Sequence, residues 1–248
     1  MPIEDTLEAG ICVVGHPYAP IGMGEHVRSV FRALKKARIL THIVDVYGMY
    51  DNPDISYRSG IEENITVNLS ENINIFCING DEVKDSFRHL QNRGLGKGYN
   101  IIYPAWELEK YPEEWGVQLD LFDEIWAPSD FIKNAIHKVT TKPVYHMPLA
   151  CEVTDKTLTT RRYFDIPESS YAFLFAFDFL SYIERKNPTA VIRAFLELCK
   201  RQPDNVVVLV IKTNNGHKDK KKLEELKRLI EPVKYQVVLI DKTCLLYT

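Results

Sequence analysis

Long apolar runs are absent from this 248-residue chain. Stretches such as Gly10 to Val14 and Val206 to Ile211 are far shorter than the roughly 20 residues needed to span a bilayer. Charge of one sign is lacking too. Lys plus Arg number 31 against 34 Asp plus Glu, a formal net charge of −3. No basic excess marks a bulk nucleic-acid binder, and no acidic block marks a solvating tail. Cysteine is sparse: Cys12, Cys77, Cys151, Cys199 and Cys244 contain no C-x-x-C pair, which argues against a zinc site or a disulfide framework. His16, His26, His137 and His146 show no metal-ligand spacing, so no metal is assigned. The opening MPIEDTLEAG is acidic and lacks the charged-then-apolar pattern of an export signal, so a cytoplasmic location is expected. Two glycosylation-type triplets, at Asn64 and Asn68, have no consequence without export.

What is present is ordinary globular composition, 45 % hydrophobic and 26 % charged, enough for one large domain or two modest ones. Short apolar runs alternate with helical periodicity. Strands are predicted at 11–14, 42–46, 73–78, 99–103, 124–127 and 143–147. Between them Val27, Val30, Phe31 and Leu34 recur at helical spacing, and further helices are expected at 81–92, 112–121 and 129–138. Ser129 is an N-cap type residue for the last. The pattern fades over 151–168, rich in Thr and Arg, then resumes with strands at 171–177, 206–211 and 235–240 and helices at 188–200 and 218–230. Asn187 and Pro188 form a helix start.

Fully apolar strands alternating with helices predict parallel sheets covered on both faces. Two such series predict an α/β protein with two Rossmann-like doubly wound domains, residues 1–165 and 166–248. The second series offers three strands and then DKTCLLYT, so a domain cut short is expected.

Ligands of such sheets bind beyond the carboxyl ends of the strands, which directs attention to the loops there. After the first strand comes GHPYAPIGMGEH. Gly22 and Gly24 precede a helix, where free N–H groups and the helix dipole favour an anion or a close ligand approach. They serve equally well as loop and helix-start glycines. Asp45, about 20 residues on, suggests a dinucleotide fingerprint, but the loop is long and Val27 stands where the third glycine belongs. Glu25 also repels a phosphate at that helix end. After the 99–103 strand comes PAWELEKYPEEW, with Glu107 either a carboxylate for sugar hydroxyls or a nucleophile's partner, or a solvated acid beside a core Trp106. In DFLSYIERKNP, Arg185 and Lys186 stand just before a helix N-terminus, two cations suited to a diphosphate or a solvated basic pair. Lys212 ends the next strand on the same side. The run Lys218, Lys220, Lys221, Lys222 reads as the wet face of a charged helix.

The ordered segments PAWELEKYPEEW, DEIWAPSDFIKNAI, PVYHMP and FDFLSYIERKNPTAVIRAF resemble the group 1 (family 4 type) glycosyltransferases of bacterial surface-polysaccharide pathways. That resemblance, clearest over 73–211, implies the GT-B fold and sugar transfer from a nucleotide-sugar donor to a glycan or lipid-linked acceptor, with retention and without a bound metal or other cofactor. It implies that Gly22 and Gly24 face the donor phosphates or acceptor and that Glu107 borders the transfer centre. It implies that Lys186 neutralises the departing diphosphate. The family's usual arginine falls at Ser181, and Arg185 is the candidate replacement. The family's E-x7-E segment has no counterpart after Ile240, which implies a truncated chain of weak or no activity. A non-catalytic nucleotide- or glycan-binding module is the alternative, and an NAD(P)-dependent oxidoreductase a weaker one. Nothing implies nucleic-acid binding. Transient contact with a membrane surface stays open, although no basic amphipathic helix with an aromatic face is evident.

Overall fold

A computed structural model describes residues 10–19, 21–48, 60–70, 72–151, 160–203 and 206–241. The threonines at 154, 157 and 159, and the terminal stretch containing Cys244, lie outside the described residues. The chain divides into two compact units, Met1–Val153 and Thr154–Thr248.

The first unit is built on a seven-stranded parallel sheet. Its strands are β1 (Ile11–Gly15), β2 (Thr41–Asp45), β3 (Ile65–Thr66), β4 (Ile73–Phe76), β5 (Tyr99–Ile102), β6 (Glu124–Ala127) and β7 (Val144–His146). Their spatial order is β3-β2-β1-β4-β5-β6-β7, with Ile11 in register with both Thr41 and Ile73. The order reverses between β1 and β4, and a right-handed crossover rule then sends the later helices to the opposite face. Accordingly α1 (Gly22–Lys36) packs Val27, Val30 and Phe31 on Val13, Ile43 and Ile75. On the other face α2 (Val83–Leu90), α3 (Glu113–Leu119) and α4 (Asp130–Ile136) pack Val83, Leu90, Leu119 and Ile136 on Val14, Val44, Phe76 and Ile102. The central strand β1 is buried on both faces, which is why it reads as an apolar run.

The second unit holds a three-stranded parallel sheet, β8 (Tyr171–Asp178), β9 (Val207–Asn214) and β10 (Val237–Asp241), in the order β10-β9-β8. A single helical turn, α5 (Ile183–Lys186), leads into α6 (Pro188–Arg201); α7 (Lys220–Ile230) follows β9. Ile192, Phe195, Leu226 and Ile230 cover Phe177, Leu209 and Ile211. Among the strands and α-helices of the described residues, two escaped the sequence reading. One is β3, two residues long and too short for any period to register. The other is α5, a turn inside a polar stretch.

Candidate functional site

In the first unit the strands deliver their carboxyl ends to one edge, and the loops after β1 and β4 meet there at the reversal of strand order. Ligands of open α/β sheets bind at such a switch point. His16, the first residue past β1, is buried, and its Nε2 lies 2.9 Å from Glu82 Oε1. The other Glu82 oxygen, Oε2, accepts from the Asn79 backbone N–H at 2.9 Å, completing a reciprocal capping box with Asn79. Burial pushes the Glu82 carboxyl up, but the hydrogen bonds from His16 and Asn79 outweigh it and hold the group below the usual carboxylate range. The ring of His16 stacks on Tyr47 at 5.1 Å between centroids, and Tyr47 meets His89 edge-on at 4.9 Å. Asn79 Oδ1 also accepts from the Ala105 N–H at 3.0 Å, tying the loop after β5 to the loop after β4.

The glycine loop is fixed from beneath. A Cβ on Gly24 would overlap the Ala19 carbonyl oxygen and lie 2.9 Å from that of His16, so only glycine admits this approach of loop to helix. Gly22, by contrast, is exposed with open space around it. Arg28, 1 % exposed, donates Nη1 to Pro17 O at 2.8 Å and Ala19 O at 3.1 Å, and Nε to Glu25 Oε2 at 3.0 Å. Arg32 donates to the other Glu25 oxygen. Burial alone would raise the Glu25 carboxyl; the hydrogen bonds and charges of Arg32 and Arg28 bring it below the usual range. The negative charge expected to repel an anion at the α1 N-terminus is thus answered by two guanidinium groups, and that objection loses force. Residues 16–21 separate β1 from α1, too many for the tight glycine turn of a dinucleotide site. Asp45 is buried at the end of β2, where Arg93 donates to its carbonyl oxygen at 3.0 Å.

Glu107 is exposed in the segment after β5, while Trp106 packs against Tyr111 and Trp115 and donates Nε1 to Lys110 O at 3.0 Å. Exposure leaves Glu107 open to either reading, while the switch-point pair His16 and Glu82 went unread in the sequence. The local signal was Asn79-Gly-Asp-Glu82, a capping-box spacing directly after a strand.

In the second unit the predicted cations lie on the turn after β8 and near the end of β9. Arg185 and Lys186 close α5, and Asn187, left-handed at φ 50°, caps α6 by accepting the Ala190 N–H at 3.2 Å. Lys212 Nζ is held by Asn214 Oδ1 at 2.7 Å and Thr213 O at 2.8 Å. Asp178, ending β8, accepts Leu180 N–H at 2.8 Å and both its oxygens receive Asn215 Nδ2 at 3.0 Å. Asp241, ending β10, accepts Thr213 Oγ1 at 3.0 Å and Gly216 N–H at 3.2 Å. Two carboxylates at strand ends therefore pin the segment after β8 and the loop after β9. Among the described residues no His, Cys, Asp and Glu cluster is arranged to hold a metal ion, and no helix is long and apolar enough to cross a membrane.

The sequence matches no protein-family profile and no curated protein. Solved structures do match. A glycosyltransferase from Rickettsia africae ESF-5 is 12 % identical with a TM-score of 0.62, over 95 % of this chain and 69 % of that one. The trehalose-6-phosphate synthase OtsA is 12 % identical with a TM-score of 0.62, over 94 % of this chain and 74 % of its own. Anabaena HepE, solved with UDP and glucose, is 9 % identical with a TM-score of 0.58, over 94 % and 69 %. At such identities the likeness speaks for the fold alone, and the fold of this chain, a seven-stranded and a three-stranded parallel sheet in two α/β units, is that of the GT-B glycosyltransferases.

Proposed function

We propose that this chain acts in transfer of a hexose from a nucleoside diphosphate sugar to a hydroxyl of a glycan or lipid-linked acceptor, with retention, in the cytoplasmic synthesis of a bacterial surface polysaccharide. The observation that carries this reading is the placement of Arg185 and Lys186 in the turn after β8, directly before the capped start of α6, with Lys212 near the carboxyl end of the neighbouring strand β9. Departure of the diphosphate leaves an electron pair and negative charge on its oxygen. Fixed cations and helix-end N–H groups stabilise that charge without reorganising. Arg185 offers a two-pronged donor and Lys186 a point charge, so this reading asks for no metal. Gly22, open and exposed, permits close approach of a ligand to the first turn of α1, and Glu107 is accessible for a sugar hydroxyl.

Support also comes from neighbours whose structures contain UDP and glucose, or UDP-2-fluoro glucose. Calorimetry with UDP and GDP on the intact chain tests the donor half. Lys186→Ala should weaken binding about tenfold, the size of one lost charge-assisted contact. Unchanged affinity removes the phosphate role. Turnover with a panel of nucleotide sugars, with the product's anomeric configuration read by NMR, separates transfer from simple binding.

A further inference from the structure

β8 stands at an edge of the second sheet, with β9 on one side only. Its counterpart in the first unit, β1, is paired on both sides, by β2 and β4. The other edge strands of the described residues are short: β3 has two residues, β7 three and β10 five. β8 runs for eight residues in unbroken parallel register with β9, from Tyr171 opposite Val207 to Asp178 opposite Asn214. Proteins blunt such an edge with a charge, a proline or a bulge. The stretch from Tyr171 to Phe177 contains none of these. Leu174 is 74 % exposed and Tyr171 67 %, and Phe173 is exposed as well, although its ring approaches Phe195 of α6.

The backbone of this edge has a direction. The Tyr171 N–H donates to Val206 O at 2.8 Å and the Phe179 N–H to Asn214 O at 3.1 Å. Odd-numbered residues of β8 therefore turn their backbone groups toward β9, and those of Ala172, Leu174 and Ala176 point to the free edge. The sequence says what fits there. Ala172-Phe173-Leu174-Phe175-Ala176 reads the same in both directions, with the aromatic residues Tyr171 and Phe177 flanking it. A two-fold axis asks for such self-complementarity, because every contact across it is made twice.

We infer that β8 is a dimer interface, pairing antiparallel with β8 of a second copy of this chain about an axis at Leu174. In that register Leu174 faces Leu174 of the second copy, Phe173 faces Phe175, Ala172 faces Ala176 and Tyr171 faces Phe177. Asp178, the one charged residue of the strand, falls opposite Ser170, so no like charges meet. Ala172, Leu174 and Ala176 exchange backbone hydrogen bonds across the axis, and the aromatic pairs cover the exposed rings. The sheet then runs on through both copies and neither β8 keeps an open edge. This inference goes beyond the sugar-transfer reading and does not rest on it.

The test is analytical ultracentrifugation of the intact chain from about 1 to 100 µM. A monomer should pass into a closed dimer over that range. Leu174→Lys sets two like charges face to face at the axis and should weaken the dimer at least about tenfold; Leu174→Glu should do the same. Mixed in equal amounts, the two variants should form a heterodimer, because the axis then sets Lys against Glu. That rescue needs both variants folded and belongs to this register alone. A wild type that stays monomeric overturns the inference, and so does one that grows into ever larger species. A dimer that Leu174→Lys leaves unchanged overturns it too, as does a mixture of the two variants that stays monomeric.

Discussion

His16 and Glu82, 66 positions apart in the chain, meet at 2.9 Å across the point where the strand order of the first sheet reverses. The contact links the loop after β1 to the loop after β4. It also sets the tautomer of His16, because a carboxylate that already accepts from the Asn79 N–H takes its second proton from Nε2. Replacing Glu82 by Gln keeps the shape and removes the charge; replacing it by Ala leaves a buried imidazole without a partner. Glu82→Ala should therefore cost about 1–3 kcal/mol in urea unfolding, and Glu82→Gln less. Because the folded Glu82 sits below the ordinary carboxylate value, its contribution is complete above that value and fades as pH falls through the folded one. A Glu82→Ala loss that is the same at pH 7 and at pH 3 would contradict this assignment.

Gly22 and Gly24 look alike in sequence and differ in surroundings. Gly24→Ala drives a methyl group into the Ala19 carbonyl and displaces the loop that Arg28 holds through Pro17 and Ala19. The expected cost is about 1–3 kcal/mol, as for other overpacked sites. Gly22→Ala meets nothing and should change stability by less than about 0.5 kcal/mol. Thermal melts of the two variants decide this. A UDP or sugar affinity lost in Gly22→Ala without a change in melting would then mark close ligand approach at that backbone.

The alternation of strand and helix was legible because the strands are rich in apolar residues, buried on both faces in β1 and most of β9. The expected cover on both faces fails at β8, an edge strand that leaves Tyr171 and Leu174 exposed. The spacing of Val27, Val30, Phe31 and Leu34 announced the α1 face. Most of what stayed hidden was relationships between distant segments, such as His16 with Glu82. Glu25 was read alone as repulsive to phosphate, although Arg28 at i, i+3 on the same expected helix could have been paired with it. Arg28 itself reads as a surface residue, yet it is buried because two loop carbonyls need a donor. The positions of Arg185 and Lys186 before a helix start and of Lys212 late in a strand were legible, since strand ends and helix starts are local signals. The carboxylates Asp178 and Asp241 that pin their loops were not, as their partners lie 37 and 25 to 28 positions away.

His26 predicts a pH dependence of its own. It is buried, packs edge-on to Tyr103 at 4.3 Å, and its Nε2 has no hydrogen-bond partner. Burial disfavours the charged form and lowers its pKa from 6.5 to about 4. Between those values the unfolded chain binds a proton that the folded chain does not, so stability is full above pH 6.5 and declines as pH falls toward 4. Over the whole window the loss amounts to about 3 kcal/mol. Urea titrations at pH 7 and pH 5 should show the wild type losing stability between them, and His26→Phe losing less. An identical loss in both proteins would remove His26 as its source.

Asp178 acts on the cationic turn without touching a ligand. Its Oδ1 receives the Leu180 N–H, which opens the segment leading to Arg185 and Lys186, and both its oxygens receive Asn215 Nδ2 from the loop after β9. One carboxylate thereby joins the loops at the ends of two neighbouring strands. Asp178→Ala frees both and should weaken UDP binding severalfold, while Asp178→Asn, which preserves one acceptor, should recover part of the loss. A residue that works by positioning Lys186 has little left to position once that lysine is gone. In a double-mutant cycle the effect of Asp178→Ala on UDP affinity should therefore shrink in the Lys186→Ala background, with a coupling of about 0.5–3 kcal/mol. Strict additivity would show that Asp178 steadies the sheet edge for its own sake and that the turn carrying the two cations keeps its place without it.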